Sequence, residues 1–337
     1  MKDLPLAVTD RDNPLAARAE MMRQPLSVLV VTNTYPTPEH PSTTPCVRDQ
    51  LEVLKSKGVR IELLHINYRH KLEYPRAAWR LFLLNFQRRR YHLIHAHYGY
   101  CGLLAGLQWR YPVVVTFHGS DLIDPREGLL GRLVSRLVRA VIVMSPEMKV
   151  VSGRRDAHVI PFGIDHERFH PYPKALARQE LGMPENGRLV LFPWNPARPE
   201  KRFALAQAAV ERLQRDYPDL VLMPVWDRPR EVIARAMQAC DALILTSTEE
   251  GSPVAVRESL ACGLPVVSVD VGDVRELIEG VPGCAICAPD PEALADRLAV
   301  ALRRPAPEET GARSGGYGTE AAAERVLRVY QAVMGRS

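Results

Sequence analysis

The chain has 337 residues, room for about two domains at roughly 150 residues each, and carries 44 Lys/Arg against 39 Asp/Glu for a net charge of +5. Its 46% hydrophobic and 25% charged content is that of a globular protein, which excludes a disordered tail, a collagen-type fibre and a small disulfide-stapled module. The charge is unevenly spread. Residues 1–170 hold 24 Lys/Arg against 16 Asp/Glu and all ten histidines, whereas residues 171–337 hold 20 against 23.

Met1–Gln24 mixes charges of both signs without an apolar core segment, so no secretory leader is predicted and residues 1–25 read as an extension. From there short β-branched runs alternate with longer amphipathic ones. Leu26–Thr32, Val59–Ile66, His92–Ala96, Pro112–Phe117 and Ala140–Met144 are predicted strands. Val47–Lys57, Ala77–Arg89 and Leu129–Val138 are predicted helices between them. Such βα alternation implies a parallel sheet covered on both faces. A Pro-rich stretch through Pro171, Pro173 and Pro184 has the composition of a hinge. A second series follows, with predicted strands Leu189–Pro193, Leu220–Val225, Ala242–Thr246 and Pro265–Val269. Its helices are Ala204–Arg215, Arg230–Cys240 and Pro253–Cys262, and a last helix, Glu320–Met334, comes after a Gly-rich break. The expected organisation is an extension (1–25), two doubly wound α/β domains (26–170 and 171–318) facing a central cleft, and a C-terminal helix (319–337) crossing back to the first domain. In such sheets ligands sit beyond the carboxyl ends of the strands.

No apolar run approaches the ~18 residues of a membrane span, so a cytoplasmic protein is expected. Cys284-x-x-Cys287 is the one close cysteine pair and lacks a second pair to complete a zinc site; it reads as two small residues of a short strand. Leu26–Thr32 is not followed by Gly-x-Gly-x-x-Gly, which speaks against a dehydrogenase. Modest total charge and the absence of a recognition module speak against nucleic acid.

The most informative segment runs from Thr246 to Val267. It leaves a buried strand and enters a helix with Ser252 expected at the N-cap and Pro253 in the first turn, where free N–H groups and the helix dipole suit a phosphate. Glu250 precedes that turn and Glu258 is expected nearly two turns inside. Ionised carboxylates only accept hydrogen bonds, so the pair suits sugar or ribose hydroxyls. Two solvated acids on a capped helix remain the alternative on the acids alone.

The whole string closely resembles the E-x7-E segment of the retaining GT-B glycosyltransferases of family 4. Ile160-Pro-Phe-Gly-Ile-Asp165 with Phe169 and Pro171 resembles the family's interdomain signature, with Phe162 in place of Asn. His95-Ala-His97 and Thr116-Phe-His118-Gly-Ser-Asp121 resemble its paired histidine motifs. Arg198-Pro-Glu-Lys201, Glu250-Gly-Ser-Pro253 and Val269-Asp-Val-Gly-Asp273 are most similar to bacterial members that build cell-surface polysaccharides, the teichuronic-acid type among them. The resemblance implies a metal-independent, retaining transfer from a nucleotide-sugar, a UDP-sugar on family grounds, to a glycan or lipid-linked acceptor. The diphosphate would leave and accept the acceptor's proton on the same face, with no protein nucleophile and no cofactor.

It also implies roles. Glu250, His118 and Lys201 are the candidate catalytic residues. Arg198, Lys201, Glu250, Gly251, Ser252, Pro253 and Glu258 are the candidate donor-binding ones. The family's phosphate Arg lies five residues before the Lys, where this chain has Pro196; Arg198 would substitute. The family's Gly-Gly loop is replaced by Tyr35–Pro45, whose Ser42, Thr43 and Thr44, with Asp121, are candidates for an acceptor or phosphate loop. Rival readings are a GT-B sugar-nucleotide epimerase or phosphorylase-like enzyme, and a non-catalytic sugar- or lipid-binding partner of an assembly complex. Finally, Arg76–Arg90 brackets Trp79, Phe82, Leu83 and Phe86 at helical spacing. That pattern fits a core-packing helix with a basic cap, or an interfacial helix resting on anionic membrane at the inner face of the cell.

Overall fold

The computed structural model describes residues 25–41, 43–125, 127–303 and 318–335. The expected amino-terminal extension and most of the Gly-rich break lie outside these. The first part of the chain runs β1 (Ser27–Thr32), α1 (Pro45–Ser56), β2 (Arg60–His65), α2 (Glu73–Leu83), β3 (Leu93–His97), α3 (Gly99–Ala105), β4 (Val113–Thr116), α4 (Ser120–Ile123), α5 (Glu127–Leu137), β5 (Ala140–Val143), α6 (Pro146–Ser152) and β6 (His158–Val159). The second part runs α7 (Lys174–Glu180), β7 (Arg188–Phe192), a 3-10 turn (Pro199–Lys201), α8 (Phe203–Leu213), β8 (Leu220–Pro224), α9 (Arg230–Ala239), β9 (Ala242–Leu245), α10 (Val254–Ala261), β10 (Val266–Val269), α11 (Val274–Ile278), β11 (Ala285–Cys287), α12 (Pro291–Arg303) and α13 (Thr319–Gly335).

These strands form two parallel sheets, in the orders β2-β1-β3-β4-β5-β6 and β11-β10-β9-β7-β8. Runs such as Val28–Val31 and Ala242–Leu245 are buried throughout, because helices cover both faces of each sheet. Each fully buried Val or Leu contributes about 1.5–3 kcal/mol over its exposed state. Helix α13 packs on α1, and its Ala323, Val326 and Tyr330 belong to the core of the first sheet. The chain reaches it through a bridge between Ile164 and Gly318.

Two local expectations need correcting. The helix foreseen at Ala77–Arg89 is Glu73–Leu83. Its start is held by Glu73, which accepts from Asn67 N at 2.6 Å. Its end comes where Asn85 turns its amide to Leu107 O and accepts from Trp109 N, so Arg88–Arg90 follow the helix instead of riding on it. Likewise α10 begins at Val254, and Ser252 does not cap it: the Ser252 hydroxyl accepts from Arg257 Nε at 3.0 Å. Glu258 therefore sits little more than one turn inside. Cys284 and Cys287 are free, and the strand β11 carries the latter.

Candidate active site

The carboxyl ends of both sheets meet at a cleft, and their loops touch backbone to backbone. Gly119, at φ +150°, faces Gly251, where an added Cβ would lie 2.6 Å from His118 O and 2.9 Å from Met148 Sδ. Gly272 closes on the same loop: a Cβ there would come within 2.8 Å of Gly251 O. Only glycine allows this approach of the two domains.

On the second domain, Lys201 ends the 3-10 turn and is buried. Thr246 Oγ1 donates to Lys201 O at 2.7 Å and Thr248 N to Glu200 O at 2.9 Å, lacing the loops after β7 and β9 together. Lys201 Nζ donates to Glu250 Oε1 at 2.5 Å, and Ser247 Oγ donates to the same oxygen at 2.8 Å. The ammonium also stands 5.4 Å from the centre of the Trp194 ring. Glu258 is 2% exposed, and burial pushes its carboxyl pKa above the ordinary glutamate value. Arg230 opposes that shift with an Nη2–Oε1 bond of 2.5 Å. Its Nε lies 3.7 Å from Asp49 of the first domain, and its guanidinium sits over Phe169 at 4.6 Å. Arg257 pairs with buried Asp273 at 2.5 Å behind α10.

Around His118 the opposite wall is built from neutral groups, while Arg69 lines the same cleft from the exposed side. His118 follows β4, stacks on Tyr98 at 4.0 Å and packs against Phe162. Its Nε2 shares a 3.1 Å hydrogen bond with His97 Nδ1. Behind it His95 is held at Nδ1 by Tyr330 Oη (2.6 Å) and at Nε2 by Thr116 Oγ1 (2.7 Å). Burial drives the pKa of His95 and His118 well below the ordinary value and that of His97 to about 3, so all three are neutral at pH 7. His97 Nε2 is buried without a partner. An orphaned N–H is the rarer and costlier outcome, which favours His97 donating through Nδ1 and leaves His118 protonated on Nδ1.

Thr43, Thr44, Arg198 and Glu258 line one cleft of about 770 Å³ together with Thr34, Tyr98, Ser120, Trp194, Trp226 and Arg230. Thr44 Oγ1 donates to Thr34 Oγ1 at 3.1 Å and meets Tyr98 Oη at 3.3 Å. Among the described residues four non-glycines have positive φ, and three of them, Thr44, Tyr98 and Asp227, line this cleft. Strain gathered there is the pattern expected of a site that over-determines its own geometry. Arg198 stands at the rim, half exposed and paired with Glu200. Asp121 is not at the cleft surface. It lies buried beneath the loop and accepts from the backbone N–H groups of His118 (2.9 Å), Gly119 (3.0 Å) and Gly99 (3.2 Å). Burial raises its pKa to about 6 against the lowering effect of those bonds. Ser42 lies outside the described residues.

Sequence reasoning passed over Asp49, Arg230, Trp194 and Trp226. Arg230 left one local signal. It is the first residue of α9, where a cation opposes the helix dipole, so it needs an acidic partner from elsewhere. Among the described residues no group of three His, Cys, Asp or Glu could hold a metal ion.

A profile described as Glycosyltransferase Family 4 matches residues 16–168, and one described as Glycosyl transferases group 1 matches residues 196–304. The chain belongs to this glycosyltransferase family. His118 falls in the first match; Lys201, Glu250 and Glu258 fall in the second. A D-inositol 3-phosphate glycosyltransferase of Frankia alni is 27% identical to this glycosyltransferase over 302 residues, 71% of this chain and 74% of the relative. The teichuronic acid biosynthesis glycosyltransferase TuaC of Bacillus subtilis is 30% identical over 215 residues, 55% of this chain and 54% of the relative. Solved neighbours share the GT-B fold. One of them, HepE of Anabaena in complex with UDP and glucose, superposes with a TM-score of 0.66 at 16% identity, over 91% of this chain and 100% of that one.

Proposed function

We propose that the enzyme is a retaining glycosyltransferase that moves a sugar from a UDP-sugar to a glycan or lipid-linked acceptor in surface polysaccharide or glycoconjugate synthesis. We further propose that it works in the cytoplasm at the inner face of the membrane. The observation that carries this reading is the Gly119–Gly251 contact, which brings the His118 loop of one domain against the Glu250 loop of the other. The ligands of HepE, UDP and glucose, support the donor class.

Departure of the diphosphate builds negative charge. Lys201, already aligned by Glu250 and Trp194, would meet that charge without reorganising, and Arg198 at the rim would add a second cation. The Gly251–Pro253 backbone and the start of α10 would take a phosphate oxygen, with Thr43 and Thr44 donating from the facing wall. Glu250 commits one oxygen to Lys201 and Ser247 and keeps Oε2 for a sugar hydroxyl. Glu258 commits Oε1 to Arg230 and keeps Oε2 for the ribose. Neutral His118 would donate to the sugar rather than repel a developing oxocarbenium charge. In this reading the cations perform the electrostatic work and no resident metal or cofactor is required.

The test is a thermal-shift and calorimetry panel of nucleotides and nucleotide-sugars, followed by NMR of the product anomer. UDP and UDP-sugars should stabilise the fold, by about 2.7 kcal/mol at a hundredfold excess over Kd. Product should keep the donor's anomeric configuration. A panel with no binder, or an inverted product, overturns the reading.

A further inference from the structure

The first sheet has two unlike outer layers. On one face α1 and α13 pack against each other. On the other, α2, α3, α5 and α6 lie side by side, as right-handed crossovers in one direction require. The outer surface of this second layer is apolar where a solvated helix layer should be polar. Trp79, Phe86 and Trp109 are 62%, 70% and 74% exposed. They converge on Phe82, with ring centroids 5.7, 5.4 and 6.2 Å from it, and Phe86 and Trp109 lie 6.4 Å apart.

The cluster is built, not frayed. Asn85 binds both segments that carry it, through Leu107 O and Trp109 N, and its own carbonyl accepts from Arg110 Nη1 at 3.3 Å. The apolar surface continues across the layer through exposed Leu103 and Leu107 of the α3 segment and Leu133 and Leu137 of α5. Exposed aromatic surface of this extent marks an interaction site.

Charge selects the occupant. From Tyr74 to Ser120 the chain has six arginines and not one Asp or Glu; Glu62 of β2 pairs with Arg80 and Arg90, and Arg76, Arg88 and Arg89 are exposed. A second copy of the same face would bring like charges together. An anionic lipid surface takes both parts at once. Indole and phenyl rings settle at the headgroup level, and arginine stems lie along the apolar boundary with their guanidinium groups on lipid phosphates.

We propose that this helical layer docks the enzyme on an anionic lipid bilayer, with Trp79, Phe86 and Trp109 inserted and the arginines on lipid phosphates. The patch borders the amino ends of β3 and β4, whereas the cleft lies beyond their carboxyl ends, about 17 Å away along a five-residue strand. Docking therefore leaves the cleft open to a soluble donor while keeping it near the membrane. The inference deepens the lipid-linked acceptor reading and rests on it for the purpose of docking.

Co-sedimentation of the full chain with phosphatidylcholine vesicles, with and without phosphatidylglycerol, tests it. Binding should require phosphatidylglycerol and weaken with added salt. Replacing Arg88, Arg89 and Arg90 by Gln should weaken binding roughly 150-fold at about fivefold per charge, and the triple variant W79A/F86A/W109A should lose it. Equal binding to neutral vesicles, unchanged binding of either variant, or a dimer that the aromatic variant dissolves would each overturn the proposal. UDP-sugar hydrolysis by the same variants in solution, read in parallel, separates failure of docking from failure of the donor reading.

Discussion

The two walls of the cleft handle their ligands by different physics. The wall from the second domain rests on buried ion pairs, Lys201–Glu250 and Arg230–Glu258, with Arg257–Asp273 behind them. The wall from the first offers hydroxyls, neutral histidines and a backbone loop held by Asp121, with one exposed cation, Arg69. In the proposed reaction the charged leaving group calls for the first kind of wall, and the transferred sugar for the second. The division also explains why burying so many ions is tolerable: each cation meets a carboxylate before any ligand arrives, so no lone charge is left in a dry site.

That contrast can be broken from either side. Lys201→Ala removes the cation and leaves Glu250 with Ser247 alone; turnover should fall about 10³-fold in kcat, the scale of a lost electrostatic stabiliser, measured by UDP release. Gly251→Ala attacks the seam between the walls. Its Cβ cannot lie 2.6 Å from His118 O, so the domains stay apart and kcat should fall roughly 100-fold. Calorimetric donor binding to the second domain should persist, and simultaneous loss of both would break the division.

Arg230→Met tests whether the charged wall depends on pairing. Burial already raises the Glu258 pKa, and Arg230 restrains it. Without the guanidinium the carboxylate takes up a proton at higher pH. Donor KM should rise about tenfold near neutrality, the scale of a lost charge-assisted hydrogen bond. It should recover as pH increases through the raised pKa, and Arg230→Lys should restore much of it. The smallest effect belongs to the neutral wall. His97 keeps its proton off down to about pH 3 when folded, whereas an unfolded His takes one up near 6.5. Its contribution is therefore present above 6.5 and is lost as pH falls toward 3. Urea midpoints should drop between pH 7 and 5 less steeply in His97→Gln than in the parent.

The sheets were legible because parallel strands buried on both faces leave continuous apolar runs, as in Leu26–Thr32 and Ala242–Thr246. The α3 helix was not: seven residues with two glycines carry no period. Nor was α12, whose Leu294, Ala295, Leu298 and Ala301 keep the helical spacing but are diluted by alanine. At the site, Lys201, Glu250 and Glu258 stood out because one motif string carries two of them. Asp49 and Arg230 did not, because their approach joins residues 181 positions apart across two domains. Asp121 was recognised but given the wrong surroundings, since a carboxylate after a strand looks alike from sequence whether it faces a ligand or three backbone amides.

The return of α13 to the first sheet has a consequence for synthesis. Tyr330, fully buried, ties His95 into the ladder beneath His118, so part of the amino-terminal core is encoded near residue 330. A ribosome that has finished the strands of the first Rossmann-like unit has not yet supplied its last wall, so the full core of that unit can close only after residues 319–335 emerge. The first half of this enzyme to be made is the last to be completed.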